Sequence, residues 1–240
     1  MPFLQKLNRL GNSSNLSSKK NSRAESECQN TSLILPQATI LNQLAYIYQM
    51  TTAYENLIKV IKERRSIFPA SYIKKEIPLE VINQILESAN YAPTHKLTQP
   101  WRFTVIRKTG LERLGAELGN LYKALVAPQQ FLQKKYDSFA EKTSQADCVI
   151  AINMQLSGKI PEWEELAAVS CAVQNMALTA ESLKVGAYWS SPPIIDDLGN
   201  FLKLNQNEKC IGLFYMGYHN EKPWTPNRTP IEEKVKWIEE

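Results

Sequence analysis

Two short polar segments carry the side chains best suited to hold an anionic ligand. The first is Arg64-Arg65-Ser66. Guanidinium groups grip phosphate through paired, charge-assisted hydrogen bonds, and a neighbouring hydroxyl can reach a second oxygen or a sugar alcohol. About 25 residues further on, the run Ala92-Pro-Thr-His-Lys-Leu-Thr-Gln-Pro-Trp-Arg-Phe103 sets His95, Lys96 and Gln99 between two prolines, with Trp101 directly after. Polar loop residues held between rigid elements commonly form binding sites. Simpler roles exist for each residue. Basic residues at a helix end compensate the macrodipole, His95 can bond loop backbone, Trp101 and Trp189 can be core aromatics, and Arg228 in its proline-rich tail can be solvated. The chain has no Gly-x-Gly-x-x-Gly, no Walker loop and no Gly-x-Ser-x-Gly, and its 9 glycines leave little material for a phosphate-cradling loop. An anion would therefore be held by side chains. No nucleophile or acid–base dyad stands out, so no catalytic side chain is assigned, and the spacing of Cys and His offers no metal site.

The elements that must position these residues follow from apolar periodicity. From Tyr54 the pattern is helical, with Leu57, Ile58 and Ile61 on one face, and it ends at Arg64-Arg65-Ser66. Pro78 opens a second helix through Leu79, Ile82, Ile85, Leu86 and Ala89, which Ala92-Pro93 breaks. Trp101–Arg107 reads as a strand. Leu111–Leu125 and Phe131–Phe139 read as surface helices, and Ala146–Met154 as an apolar strand. Residues 161–184 form the clearest helix, with Pro161 in its first turn and Glu162, Glu164 and Glu165 near its positive end. Leu166–Ala180 carries no charge, which places that helix either in the middle of the core or at a subunit interface. Cys148 and Cys171 then have packing roles. Gly186–Ser190 and Lys209–Tyr218 complete the strands. Helices and strands alternate without a regular parallel repeat, so the class is α+β.

Composition bounds the function. The 240 residues are 43% hydrophobic and 22% charged, which suits a globular core. No stretch reaches the ~18 uncharged apolar residues of a membrane helix. Of 28 basic and 24 acidic residues, five and two lie in residues 1–49, leaving a near-balanced body with no concentrated basic face for nucleic acid. Four cysteines with no Cys-x-x-Cys pair read as reduced and intracellular, which points to a cytoplasmic protein. Residues 1–32 hold seven Ser and five Asn without periodicity. Three readings of the extension 1–49 remain open: a disordered tail, a weak organelle-targeting segment, or a start at Met50. Residues 50–240 form the folded domain.

The ordered set of motifs resembles the flavin mononucleotide (FMN)-dependent nitroreductase family, in its short nitroreductase-like branch. It comprises Arg64-Arg-Ser66, the Ala92–Phe103 loop, the long apolar helix, Gly186-Ala-Tyr-Trp-Ser190, and the late Gly-Tyr…Lys-Pro…Arg228-x-Pro pattern, together covering most of residues 54–230. The resemblance implies a mixed or antiparallel sheet flanked by helices, in a domain-wrapped homodimer. It implies FMN as cofactor, NADH or NADPH as reductant, and a nitroaromatic, quinone or related small molecule as electron acceptor. It assigns Arg64, Arg65 and Ser66 to the flavin phosphate and ribityl chain, His95 and Gln99 to a loop against the flavin, and Trp189-Ser190-Ser191 to the segment beside the isoalloxazine. Arg228 is placed near the phosphate. The branch often has Trp-Arg-Ser where this chain has Trp189-Ser190-Ser191, so one guanidinium is missing here. The alternative is a flavin-binding or flavin-fragmenting protein without nitroreductase turnover.

Overall fold

The computed structural model describes residues 37–223 and 226–239. The chain falls into two units, residues 1–48 and 49–240. Of the first, only helical residues 37–48 are described, so the readings made for residues 1–32 lie outside the described residues.

The helix expected from Tyr54 begins earlier: α1 runs Gln37–Glu63, continuously through Met50. Its Leu57–Ile61 face is not core, because Tyr54, Leu57 and Ile61 are all exposed. After it come α2 (Leu79–Ala89), β1 (Trp101–Arg107), α3 (Thr109–Leu125), α4 (Gln133–Gln145) and β2 (Cys148–Gln155). Then follow α5 (Glu162–Ser182), β3 (Gly186–Ser190), α6 (Gly199–Leu202) and β4 (Glu208–Gly217). The strands pair in the order β1-β2-β4-β3, every pair antiparallel. One parallel bridge, Ser66 to Ala187, extends the sheet edge.

The sheet has two cores because strand side chains alternate with period two. On β2, Cys148, Ile150, Ile152 and Met154 face one side with Phe214 and Met216 of β4; α2 and α5 cover them with Ile82, Ile85, Val169, Val173 and Met176. Val149 and Ala151 face the other side with Leu213 and Tyr215, beneath Leu114 and Leu118 of α3, Phe139 of α4 and Leu198. A strand apolar on both faces, as β2 is, must be central. Truncating an enclosed side chain such as Ile150 to Ala would cost about 2–5 kcal/mol.

Helix α5 is enclosed on one side only. Ala168, Val169, Ala172, Val173, Met176 and Ala180 are buried, whereas Trp163, Leu166, Ala167, Cys171 and Gln174 are exposed. Recurrence at three and four makes the exposed set a stripe along one face. The uncharged sequence thus serves a core face and a free face at once. Cys171 accordingly lies at the surface, contrary to the packing role expected of it. Cys148 and Cys210 are buried, and burial pushes their thiols up to about 12 and about 11.

Candidate functional site

The site begins where α1 ends. Its last turn delivers Arg64, whose backbone N–H still bonds Val60 O at 2.9 Å. The chain then turns onto the sheet edge, where Ile67 N–H donates to Ala187 O at 3.0 Å and holds Ser66 beside β3. The Tyr72 hydroxyl anchors this turn from below, lying 2.8 Å from Ile67 O and 3.0 Å from Tyr215 O. Burial pushes its ionisation far above the ordinary tyrosine value, so it stays a neutral structural donor.

Arg64, Arg65 and Ser66 open onto a cavity of about 210 Å³. One face of α5 forms its wall through Ser170, Gln174, Ala177 and Glu181, and Trp189 and Phe214 contribute the aromatic side. The Arg64 guanidinium has no hydrogen-bonded or ion-paired partner among the described residues. Arg65 is partly engaged, donating from Nη2 to Lys222 O at 2.7 Å, which clips the C-terminal segment to the site. His219, on the same segment, is held below its ordinary value by burial and then by the Arg65 guanidinium. Arg64 also walls a second cavity of about 540 Å³ with Pro223, Pro226 and Arg228. Arg64 and Arg228, two of the three arginines expected at the phosphate, thus meet across one space.

Trp189 packs over Gly212, where an added Cβ would lie 1.9 Å from the indole Nε1. That N–H is buried and has no hydrogen-bond partner among the described residues. A buried, unpaired donor carries a desolvation penalty of about 1–3 kcal/mol, and here that donor lies against the Gly212 backbone. Two guanidinium groups and a hydroxyl suit a phosphate with a polyol chain, which is the anionic half of a flavin nucleotide. The 210 Å³ cavity is too small for a whole one, since ligand pockets run from roughly 300 Å³ upwards. Ser190 and Ser191 extend from the same strand but line neither cavity, Ser190 being paired with Leu213.

His95 and Gln99 are elsewhere. Gln99 borders a different depression with Asn83, Asn90 and Arg102. His95 Nδ1 contacts Glu164 Oε2 at the start of α5. The Arg64 cavity uses α5 residues 170–181. At 1.5 Å per residue, Glu164 and Gln174 are about 15 Å apart along the helix. One chain therefore separates the two motif groups that the resemblance brings to one flavin. Sequence reasoning passed over Glu181 and Gly212, and gave Glu164 only a helix-end role. The first-turn acids Glu162, Glu164 and Glu165 each have a distinct partner (Lys209, His95 and the Ser157 N–H) beyond any macrodipole role. Among the described residues no group of three or more His, Cys, Asp or Glu could hold a metal, and no helix is long and apolar enough to cross a membrane.

An antiparallel four-stranded sheet between two helical layers, with an arginine-lined cavity where α1 ends, is a nitroreductase-like architecture. The chain belongs to the nitroreductase family, whose model matches residues 61–218. It is 28% identical over 180 residues to a Bacillus subtilis protein provisionally named the NAD(P)H nitroreductase YfhC, covering 73% of this chain and 90% of the relative. The fold matches a nitroreductase-like family protein from Bacillus cereus at 24% identity with a TM-score of 0.65, over 76% of this chain and 96% of the other. It also matches the FMN-dependent nitroreductase NfnB from Mycobacterium smegmatis, solved in complex with NADPH. That likeness has 18% identity and a TM-score of 0.61, over 78% of this chain and 100% of the other.

Proposed function

We propose that this protein is an FMN-dependent oxidoreductase that takes hydride from NADH or NADPH and passes it to a nitroaromatic, quinone or related small acceptor. The observation that carries the reading is the cavity that Arg64, Arg65 and Ser66 line beside the Trp189 ring, with the Arg64 guanidinium unpaired among the described residues. Bound there, FMN supplies the hydride chemistry, and the chain binds, orients and shields it. Arg64 and Arg228 hold the phosphate, with Arg65 completing the grip while it clips Lys222. Ser66 meets the ribityl chain, and Trp189-Ser190-Ser191 runs beside the ring. No side chain is asked to act as nucleophile.

His95 and Gln99 reach the same flavin from a second copy of the chain, so the working unit is a homodimer. The exposed uncharged stripe of α5, Trp163 to Gln174, supports this: paired antiparallel with its own copy, it sets Glu164 and His95 of one chain beside the 170–181 cavity of the other. In a Cys28→Ser background, a maleimide should then label Cys171 slowly at high protein concentration. Labelling should quicken on dilution as the stripe is uncovered. Fast, concentration-independent labelling would show that the α5 stripe is free and that one chain works alone.

The reading as a whole is tested by the spectrum of the purified protein and by consumption of reduced nicotinamide. Flavin absorbance in the blue and near-ultraviolet, with acceptor-dependent NAD(P)H oxidation, is expected. Bound flavin with no oxidation by any acceptor would favour the flavin-binding or flavin-fragmenting alternative. A colourless protein that fails to take up FMN would defeat both.

A further inference from the structure

We infer that Glu164 is a positioning residue that fixes the His95 ring for the flavin. The inference rests on the reading that His95 faces that ligand. A carboxylate can only accept, so contact between His95 Nδ1 and Glu164 Oε2 requires the proton to sit on Nδ1. Nε2 is then the one ring nitrogen left to meet a ligand, and the ring is half exposed. This is the arrangement by which an orienting carboxylate sets a working histidine's tautomer and direction.

The backbone around His95 is already constrained. Lys96, Leu97 and Gln99 adopt φ of 50°, 52° and 45°, left-handed conformations in residues that are not glycine. Such conformations persist only where the surroundings over-determine them. Here the Gln99 N–H donates to Thr94 Oγ1 at 3.1 Å, and Lys96 Nζ reaches Lys159 O at 3.4 Å. With the loop held, rotation of the imidazole about its side-chain bonds is the freedom that remains, and Glu164 removes it. Glu164 stands in the first turn of α5 and is mostly shielded. Its two acidic neighbours are engaged elsewhere, Glu162 with Lys209 and Glu165 with the Ser157 N–H, so neither can substitute for it.

The alternative role for Glu164 is charge compensation at the positive end of α5, and two variants separate the roles. Glu164→Ala removes both the charge and the acceptor, whereas Glu164→Gln removes the charge but keeps an oxygen that can accept from Nδ1–H. FMN release is followed by flavin fluorescence on dilution of the loaded full-length protein. Glu164→Ala should weaken FMN by about tenfold, the scale of one hydrogen bond to a charged group. Glu164→Gln should stay within about twofold of the parent. In the His95→Ala background, Glu164→Ala should add nothing further, because it acts through the ring. Equal weakening by Gln and Ala would leave only the helix-end role and overturn the inference, as would a full Glu164→Ala effect in the absence of His95. If His95→Ala alone leaves FMN affinity unchanged, the placement of His95 at the flavin fails, and this inference with it. If His95→Ala weakens FMN while Glu164→Ala does not, the placement stands and the inference alone is lost.

Discussion

Arg64→Ala is expected to weaken FMN by on the order of 10- to 150-fold while leaving riboflavin nearly unaffected. Among the described residues the side chain has no protein partner to lose, and Arg64 is the one arginine among them that walls both cavities. Its removal therefore acts on the ligand and not on the fold. Hydrogen bonds to charged groups contribute roughly 1.5–3 kcal/mol, and about 1.4 kcal/mol is a factor of ten in affinity. Riboflavin lacks the phosphate, so the ring and ribityl contacts of Ser66 and Trp189 persist for it. Were Arg64 only a helix-end charge, stability would drop by about 0.3–1 kcal/mol and both flavins would respond alike. Titrating flavin-free protein with each ligand decides the matter; parallel curves for the two would take Arg64 out of the site. Arg228→Ala should show the same selectivity with a smaller loss, since that residue is exposed and better screened.

Gly212→Ala should cost the protein both stability and flavin. The added Cβ would fall 1.9 Å from Trp189 Nε1 and 2.6 Å from Cδ1, far inside contact distance. The obstructed group is the broad face of an indole rather than the flexible end of a long chain. Gly212 also sits next to the register shift in the pairing of β2 with β4, where the strand backbone is already distorted. Overpacking of this kind costs about 1–3 kcal/mol. The cheapest relief is for Trp189 to swing off the strand into the cavity it borders, which would occlude the ring end of the site. A lowered melting temperature and low flavin occupancy on purification are expected together. Trp189→Phe in the Gly212→Ala background should recover part of the stability, because the smaller ring gives back the space. A Gly212→Ala protein with parental melting temperature and full flavin content would show that Trp189 does not depend on that space.

The local elements were legible in the residues. The strand Trp101–Arg107, the helix over Leu79–Ala89 and the apolar β2 all follow from period and punctuation, signals carried by near neighbours. That Arg64, Arg65 and Ser66 act as a group was legible too, and the structure opens all three onto one cavity. Periodicity does not say what covers an apolar face. The Leu57–Ile61 face of α1 is exposed, and the uncharged run of α5, read as either core or subunit interface, packs one face on the sheet and leaves Trp163 and Cys171 at the surface. An apolar stripe is the same whether its partner is the chain's own sheet or another molecule. Nor can spacing along the chain measure separation in space. His95 stands 31 residues from Arg64 and Trp189 stands 125 residues from it, yet the fold brings the tryptophan to Arg64 and leaves the histidine at the far end of α5. That choice belongs to strand order. Because β3 pairs on the outer side of β4, its edge is free to take the Ser66 turn, and Trp189 comes with it. Which residues meet at the site is thus a property of the sheet, since strand pairing joins segments by hydrogen bonds that no local pattern encodes.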